Sequence, residues 1–146
     1  MYFANPKREF IIQTDASKTA IGWILQQKDD HGRIRIVHCG GRNLRKHEKG
    51  YGVTEIELLS LIHCITQIKH YLDKSLTHVV FSDHITLTFI KSMKNSTNGR
   101  LFRWALYLDE YQLDIRHKKG TSMAHVDYIS RIEHDPDSVL QTSIIL

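Results

Sequence analysis

Two short apolar runs, each closed by an aspartate, limit what this chain can fold into. Phe10-Ile11-Ile12-Gln13-Thr14 leads into Asp15, and Val79-Val80-Phe81-Ser82 leads into Asp83. Both runs have the length and β-branched content of buried strands. In an open α/β sheet, ligands gather beyond the carboxyl ends of the strands, which makes both acids candidate site residues. Side by side they would repel, and a divalent cation between them would relieve the repulsion. The competing reading is that each Asp merely ends its strand and caps the next segment. Asp83 before His84-Ile85-Thr86-Leu87 has the chemistry of a helix N-cap. Spacing alone leaves the two readings level.

The pattern around these runs predicts the architecture. Residues 10–15, Ala20 to Gln27 and Arg33 to Cys39 read as strands, with Asp29-Asp30-His31-Gly32 as the turn of a hairpin. Gly40 to Gly52 is polar and basic and reads as a loop. A helix comes next, from about Glu55 to Leu72, with Leu58, Leu61, Ile62, Ile65, Ile68 and Leu72 at helical spacing. Thr77 to Ser82 is a fourth strand, followed by a short helix to about Met93 and a loop through Gly99. Arg100 to Glu110 suits a helix, Gln112 to His117 a fifth strand, and Ala124 to Ile132 a last helix. A hairpin followed by alternating strands and helices predicts an α/β fold, a five-stranded mixed sheet flanked by helices. Residues 1–132 read as the domain and 133–146 as a C-terminal tail or linker.

Composition sets outer bounds. A chain of 146 residues, 41% hydrophobic and 25% charged, fits a single domain with its own core. A net charge of +4 and a pI near 9.1 are compatible with nucleic acid without pointing to it. Cys39 and Cys64 stand in apolar surroundings and read as buried thiols of a reducing compartment. The ten histidines show no metal-ligand spacing. No apolar stretch approaches the ~20 residues that span a bilayer, so no membrane partner is expected. The N-terminus does not read as a signal peptide.

The motifs around the aspartates go further. Thr14-Asp15-Ala16-Ser17, then Ile21-Gly22 and Leu25-x-Gln27, resembles the opening of the ribonuclease H domain of gypsy-class LTR retrotransposons. Glu48-x-x-Tyr51-x-x-Thr54-Glu55-Ile56-Glu57-Leu58-Leu59 resembles the segment carrying that family's catalytic Glu. Ser82-Asp83-His84 resembles its Thr-Asp-His, Leu101-x-Arg103-Trp104-x-x-x-Leu108 its Arg-Trp helix, and Asp127-Tyr128-Ile129-Ser130-Arg131 its closing motif. Five blocks stand in the family's order, from about residue 3 to Arg131. The resemblance implies a ribonuclease H-like fold and catalytic, metal-binding roles for Asp15, Glu57, Asp83 and Asp127. The cofactor it implies is a pair of Mg²⁺ ions about 3.5–4 Å apart, with Mn²⁺ as a substitute. It further implies an endonuclease that cuts the RNA strand of RNA–DNA hybrids during reverse transcription. The implied partners are the hybrid and the polymerase domain of a parent polyprotein. The implied location is a cytoplasmic retroelement particle, with the nucleus as the alternative.

Each acid also has a structural competitor. Thr54-x-x-Glu57 has the spacing of a capping box. Helical periodicity places Glu55 and Glu57 equally near the apolar stripe, so only the family match selects Glu57. Asp127 falls in the first turn of the last helix, where the macrodipole favours an acid anyway. Ser17 is read either as a substrate contact through its amide or hydroxyl, or as a turn residue. His125 reads as a surface residue. Among the basic residues, Arg42, Arg103, Lys118 and Lys119 are candidates for substrate phosphates, on a hybrid read by shape and 2′-hydroxyls. Trp23 and Trp104 read as core.

Several positions depart from the family's pattern. Val126 and Tyr128 flank Asp127 where small residues are usual, Trp23 replaces a small residue, and Cys39-Gly40-Gly41-Arg42 replaces a Ser-Arg. The basic handle helix of cellular relatives and the reverse transcriptase motifs are both missing. The substituted positions suit a decaying copy or one adapted to another use, and the missing segments an excised domain or the product of a truncated element. A non-catalytic module binding nucleic acid or a polymerase partner is the alternative function. An integrase on the same fold is a third possibility, disfavoured by the spacing of the motifs.

Overall fold

The computed structural model describes residues 2–84, 87–88 and 97–118. Their five strands form one sheet in the order β3-β2-β1-β4-β5. The strands are β1 (Ile11–Ala16), β2 (Ala20–Lys28), β3 (Ile34–Asn43), β4 (Thr77–Ser82) and β5 (Gln112–His117). The α-helices are α1 (Val53–Ile68) and α2 (Gly99–Leu108). β1, β2 and β3 pair antiparallel, whereas β4 runs parallel to both β1 and β5. This is the mixed α/β sheet that the alternation of elements predicts. The expected helix to Met93, apart from Leu87 and Thr88, and the expected helix over 124–132 lie outside the described residues.

Local chemistry explains the elements. Asp29 closes the hairpin by accepting the amides of His31 and Arg33 at 2.9 Å each, and Gly32 supplies the positive φ of 75°. Arg35 and those two amides hold the Asp29 carboxyl down at about 2. One face of α1 buries Leu58, Leu61, Cys64, Ile65 and Ile68 against Phe10, Ile12, Trp23, Leu25 and Val80. The helix stops at Ile68, sooner than its periodicity predicts, and gives way to a 3₁₀ turn over Lys69–Tyr71. That turn sets the Tyr71 ring edge-on to Phe10. His78 is fully buried; its Nδ1 accepts the Phe10 amide, leaving Nε2 to donate to the Asp73 carbonyl, both at 3.0 Å. Asn98 caps α2 by accepting the amides of Arg100 and Leu101. No helix among the described residues is long and apolar enough to cross a membrane. Both cysteines are free thiols, Cys64 buried and Cys39 half-buried.

β3 corrects one expectation. It runs on to Asn43 through the stretch that reads as a loop, because Gly40 and Gly41 pair with Trp23 and Gly22 of β2. Two departures from the family's pattern are thereby a single exchange. The Trp23 indole is 2% exposed and lies over Gly40, where a Cβ would come within 2.5 Å of its ring. The indole N–H donates to His63 Nδ1 at 2.9 Å. Burial, and then the charges of Arg42 and Arg45, lower the pKa of His63 and so favour the neutral ring that accepts this bond. Gly40→Ala is expected to destabilise the fold by roughly 1–3 kcal/mol, the range for overpacked interiors. The measurement is the urea midpoint at constant slope. An unmoved midpoint would mean that the indole can leave Gly40 freely.

Candidate active site

β1 and β4 pair as Ile11↔Val79, Ile12↔Val80 and Gln13↔Phe81. The same offset carried two residues further sets Asp15 level with Asp83 at the carboxyl end of adjacent parallel strands. Asp15 lies inside β1 rather than just after it, and its Oδ1 accepts the Ala16 amide at 2.9 Å. Asp83 follows the last residue of β4 and is exposed. The backbone around Asp83 is held from several sides. The Lys118 amide donates to the Ser82 carbonyl at 2.8 Å, and His117 Nε2 lies 3.0 Å from the Asp83 carbonyl. The His84 amide donates to the buried Ser82 hydroxyl at 3.1 Å.

Glu57 enters from α1. One turn later, the Ser60 hydroxyl lies 2.9 Å from the Gly22 carbonyl and 3.2 Å from that of Asp15. Gly22 is the cross-strand partner of Asp15, so this contact seats Glu57's part of the helix over the Asp15 end of the sheet. Glu57 is only 7% exposed, and its Oε2 is buried with no hydrogen-bond partner among the described residues. Burial, and then the charges of Asp83 and Asp15, push its carboxyl up to about 8. With Val53, Ile56, Ala16, Ser17 and Lys18 it lines a cavity of ≈ 140 Å³.

The two acids that periodicity could not separate have different surroundings. Glu55 pairs with Arg100, whose guanidinium also lies 3.9 Å over the Tyr51 ring. That cluster ties α2 to α1 and leaves Glu57 as the acid turned toward the aspartates. The capping box does not form. Gly52 is the N-cap of α1, and the Thr54 hydroxyl lies 3.2 Å from His84 Nε2 instead. Local spacing carries no signal for this link, which spans 30 residues.

The remaining candidates divide. The Ser17 amide donates to the Ala20 carbonyl, and its hydroxyl accepts the amides of Thr19 and Ala20, so Ser17 closes the β1–β2 turn. Arg42 forks onto the buried carboxylate of Glu48 at 2.6 and 2.9 Å, holding it at about 2 with the help of the Arg45 amide. Arg42 thus braces the end of β3 against the 3₁₀ turn at Glu48–Gly50. Arg103 is exposed on α2. Lys118, next along from the β4–β5 pair Ser82↔His117 and so level with Asp83, holds its Nζ 4.9 Å over the Phe81 ring. Asp127, Lys119 and His125 lie outside the described residues. Among the described residues, no three His, Cys, Asp or Glu side chains form a ready-made metal cage.

A five-stranded mixed sheet of order 3-2-1-4-5 with helices packed against it is the frame of a ribonuclease H-like fold. RNase H1 from Halobacterium salinarum superposes with a TM-score of 0.57 at 16% identity, over 77% of this chain and 87% of that one. LC11-RNase H1 in complex with RNA/DNA hybrid gives 0.58 at 15%, over 82% and 92%. The foamy viral protease-reverse transcriptase in complex with RNA/DNA hybrid gives 0.60 at 14%, over 79% of this chain and 16% of that one.

The chain belongs to the family of RNase H-like domains found in reverse transcriptase, which matches residues 5–111. It is 38% identical over 125 residues to the retrovirus-related Pol polyprotein from transposon opus of Drosophila melanogaster, covering 86% of this chain and 12% of that protein. Against the transposon Tf2-3 polyprotein of Schizosaccharomyces pombe it is 28% identical over 138 residues, 93% of this chain and 10% of that protein. The chain thus spans about a tenth of the length of the retrotransposon polyproteins it matches.

Proposed function

We propose that this domain cuts the RNA strand of RNA–DNA hybrids during reverse transcription of a gypsy-class retroelement. Asp15, Glu57, Asp83 and Asp127 would hold a pair of Mg²⁺ ions, with Mn²⁺ as a substitute. The observation that carries this reading is the buried oxygen of Glu57, unpartnered among the described residues, beside the charges of two strand-end aspartates. A structural carboxylate that deep is normally matched by a cation or by donors. An all-carboxylate donor set suits a hard cation that keeps some ligands for water and substrate phosphate. When bound, such a pair activates a water and stabilises the leaving oxygen of the phosphodiester.

The chain's own residues supply placement and charge. Asp15 and Asp83 come from paired strands, which fixes their relative position to the rigidity of the sheet. Glu57 must give up its proton as the cation arrives, because burial favours its acid form. Lys118 offers an ammonium beside Asp83 for a backbone phosphate, and Arg103 a second cation from α2. The polymerase domain of the parent polyprotein and a cytoplasmic particle are the partner and location this reading entails.

Incubating the purified chain with labelled hybrid tests it directly. With Mg²⁺ the RNA strand should be cut and duplex DNA and free RNA spared; with EDTA nothing should be cut. Hybrid binding that persists without any cleavage would replace this reading with that of a non-catalytic module. Binding itself should be weak, given a net charge of +4, and steeply salt-dependent. Lys118→Ala is expected to weaken hybrid binding and lower its salt slope by about one. An unchanged slope would take Lys118 off the phosphate path.

A further inference from the structure

The carboxylates come from two separate pieces of the fold. Asp15 and Asp83 belong to the sheet, whereas Glu57 rides on α1. Ser60 joins α1 to the β1–β2 side, at the carbonyls of Asp15 and Gly22. On the β4 side a side-chain link runs from His84, next to Asp83, to Thr54, three residues before Glu57. Thr54 and Glu57 are one helical turn apart and share a side of α1. The His84 amide is itself anchored on the buried Ser82 hydroxyl, and Ser82 is the last residue of β4. A short chain of contacts therefore runs from β4 through His84 and Thr54 to the turn that carries Glu57.

We infer that His84 is a positioning residue that sets the separation of Asp83 and Glu57 through Thr54. This rests on the metal-binding reading of those two acids given above. Asp83 is exposed at the end of its strand. The ring of His84 fastens the residue after Asp83 to α1, so the strand end and the helix move as one body. Without that link, each acid keeps its own backbone, and the gap between them widens its distribution. A cation held by both loses affinity, because partners that orient metal ligands typically contribute ~10–100-fold.

The test is calorimetric titration of the full chain with Mn²⁺, without nucleic acid, in wild type, His84→Ala, Thr54→Val, Thr54→Ser and the His84→Ala/Thr54→Val double variant. Both His84→Ala and Thr54→Val should bind Mn²⁺ about tenfold more weakly. Thr54→Ser, which keeps the hydroxyl, should bind like wild type. The double variant should be no weaker than either single one, as for two residues acting through one contact. Metal-free melting temperatures should separate this loss from general unfolding, with His84→Ala and Thr54→Val within a few degrees of wild type. Wild-type affinity in both His84→Ala and Thr54→Val, or losses that add in the double, would overturn the inference and leave the metal site standing. A wild type that binds no Mn²⁺ would overturn the metal reading and this inference with it.

Discussion

Asp83→Asn is expected to lower hybrid cleavage on the order of 10²–10³-fold, the scale on which loss of one preorganised electrostatic group acts in an active site. The exchange keeps the size and capping capacity of the side chain and removes only its charge. Asp83 is exposed, so no core contact is lost, and folding and hybrid binding should persist. Glu55→Gln is the matching control. It breaks the pair with Arg100 that joins the two helices, and should shift stability while leaving the rate of cleavage nearly unchanged. An active wild type whose Asp83→Asn variant cleaves equally well would make Asp83 a simple strand-end cap and remove the two-metal reading.

The second large effect concerns stability against pH without metal. The Glu57 carboxyl sits at about 8 in the folded chain, against an ordinary value of 4.5. Between those limits the folded state binds more protons than the unfolded one, so stability falls as pH rises. The contribution is complete below about pH 4.5 and is lost by the time pH passes 8. The melting temperature of the metal-free chain should therefore drop by several degrees between about pH 5 and 8.5. Glu57→Gln should flatten that slope and be the more stable protein at the alkaline end. Mg²⁺ should restore wild type there by binding only the folded state. A wild-type slope that survives in Glu57→Gln would assign the effect to another group.

Much of this was legible in the sequence where one physical rule acted alone. β4 and β5 span the residues expected of them, Thr77–Ser82 and Gln112–His117, and the hairpin turn comes from Asp29 and Gly32. The sequence is silent or misleading where a distant partner overrides a local rule. Gly40-Gly41 has the composition of a loop, but the Trp23 indole needs a strand without side chains beside it. Thr54-x-x-Glu57 has the spacing of a capping box, but Thr54 turns to His84. Glu55 and Glu57 are indistinguishable by helical period; Arg100, 45 residues away from Glu55, separates them. Arg42 reads as a candidate phosphate ligand, and nothing in the sequence announces that its fork also rests on Glu48. Each of these pairs is set by tertiary approach, which periodicity does not encode.

The meeting of Trp23 with Gly40 also fixes an order of events in sequence space. Glycine opposite a small side chain costs a strand about 0.5–1 kcal/mol in chain entropy, a change most domains survive. An indole opposite any side chain at position 40 has to shift, since a Cβ there would lie 2.5 Å from the ring. Taken one substitution at a time, glycine at 40 before tryptophan at 23 is the order that avoids the crowded combination. Once the indole is in place the door closes behind it, and reversion of the glycine alone becomes the costly step. Tryptophan at position 23 can therefore be transplanted into a related sequence only together with glycine at 40, whereas the glycine can travel alone.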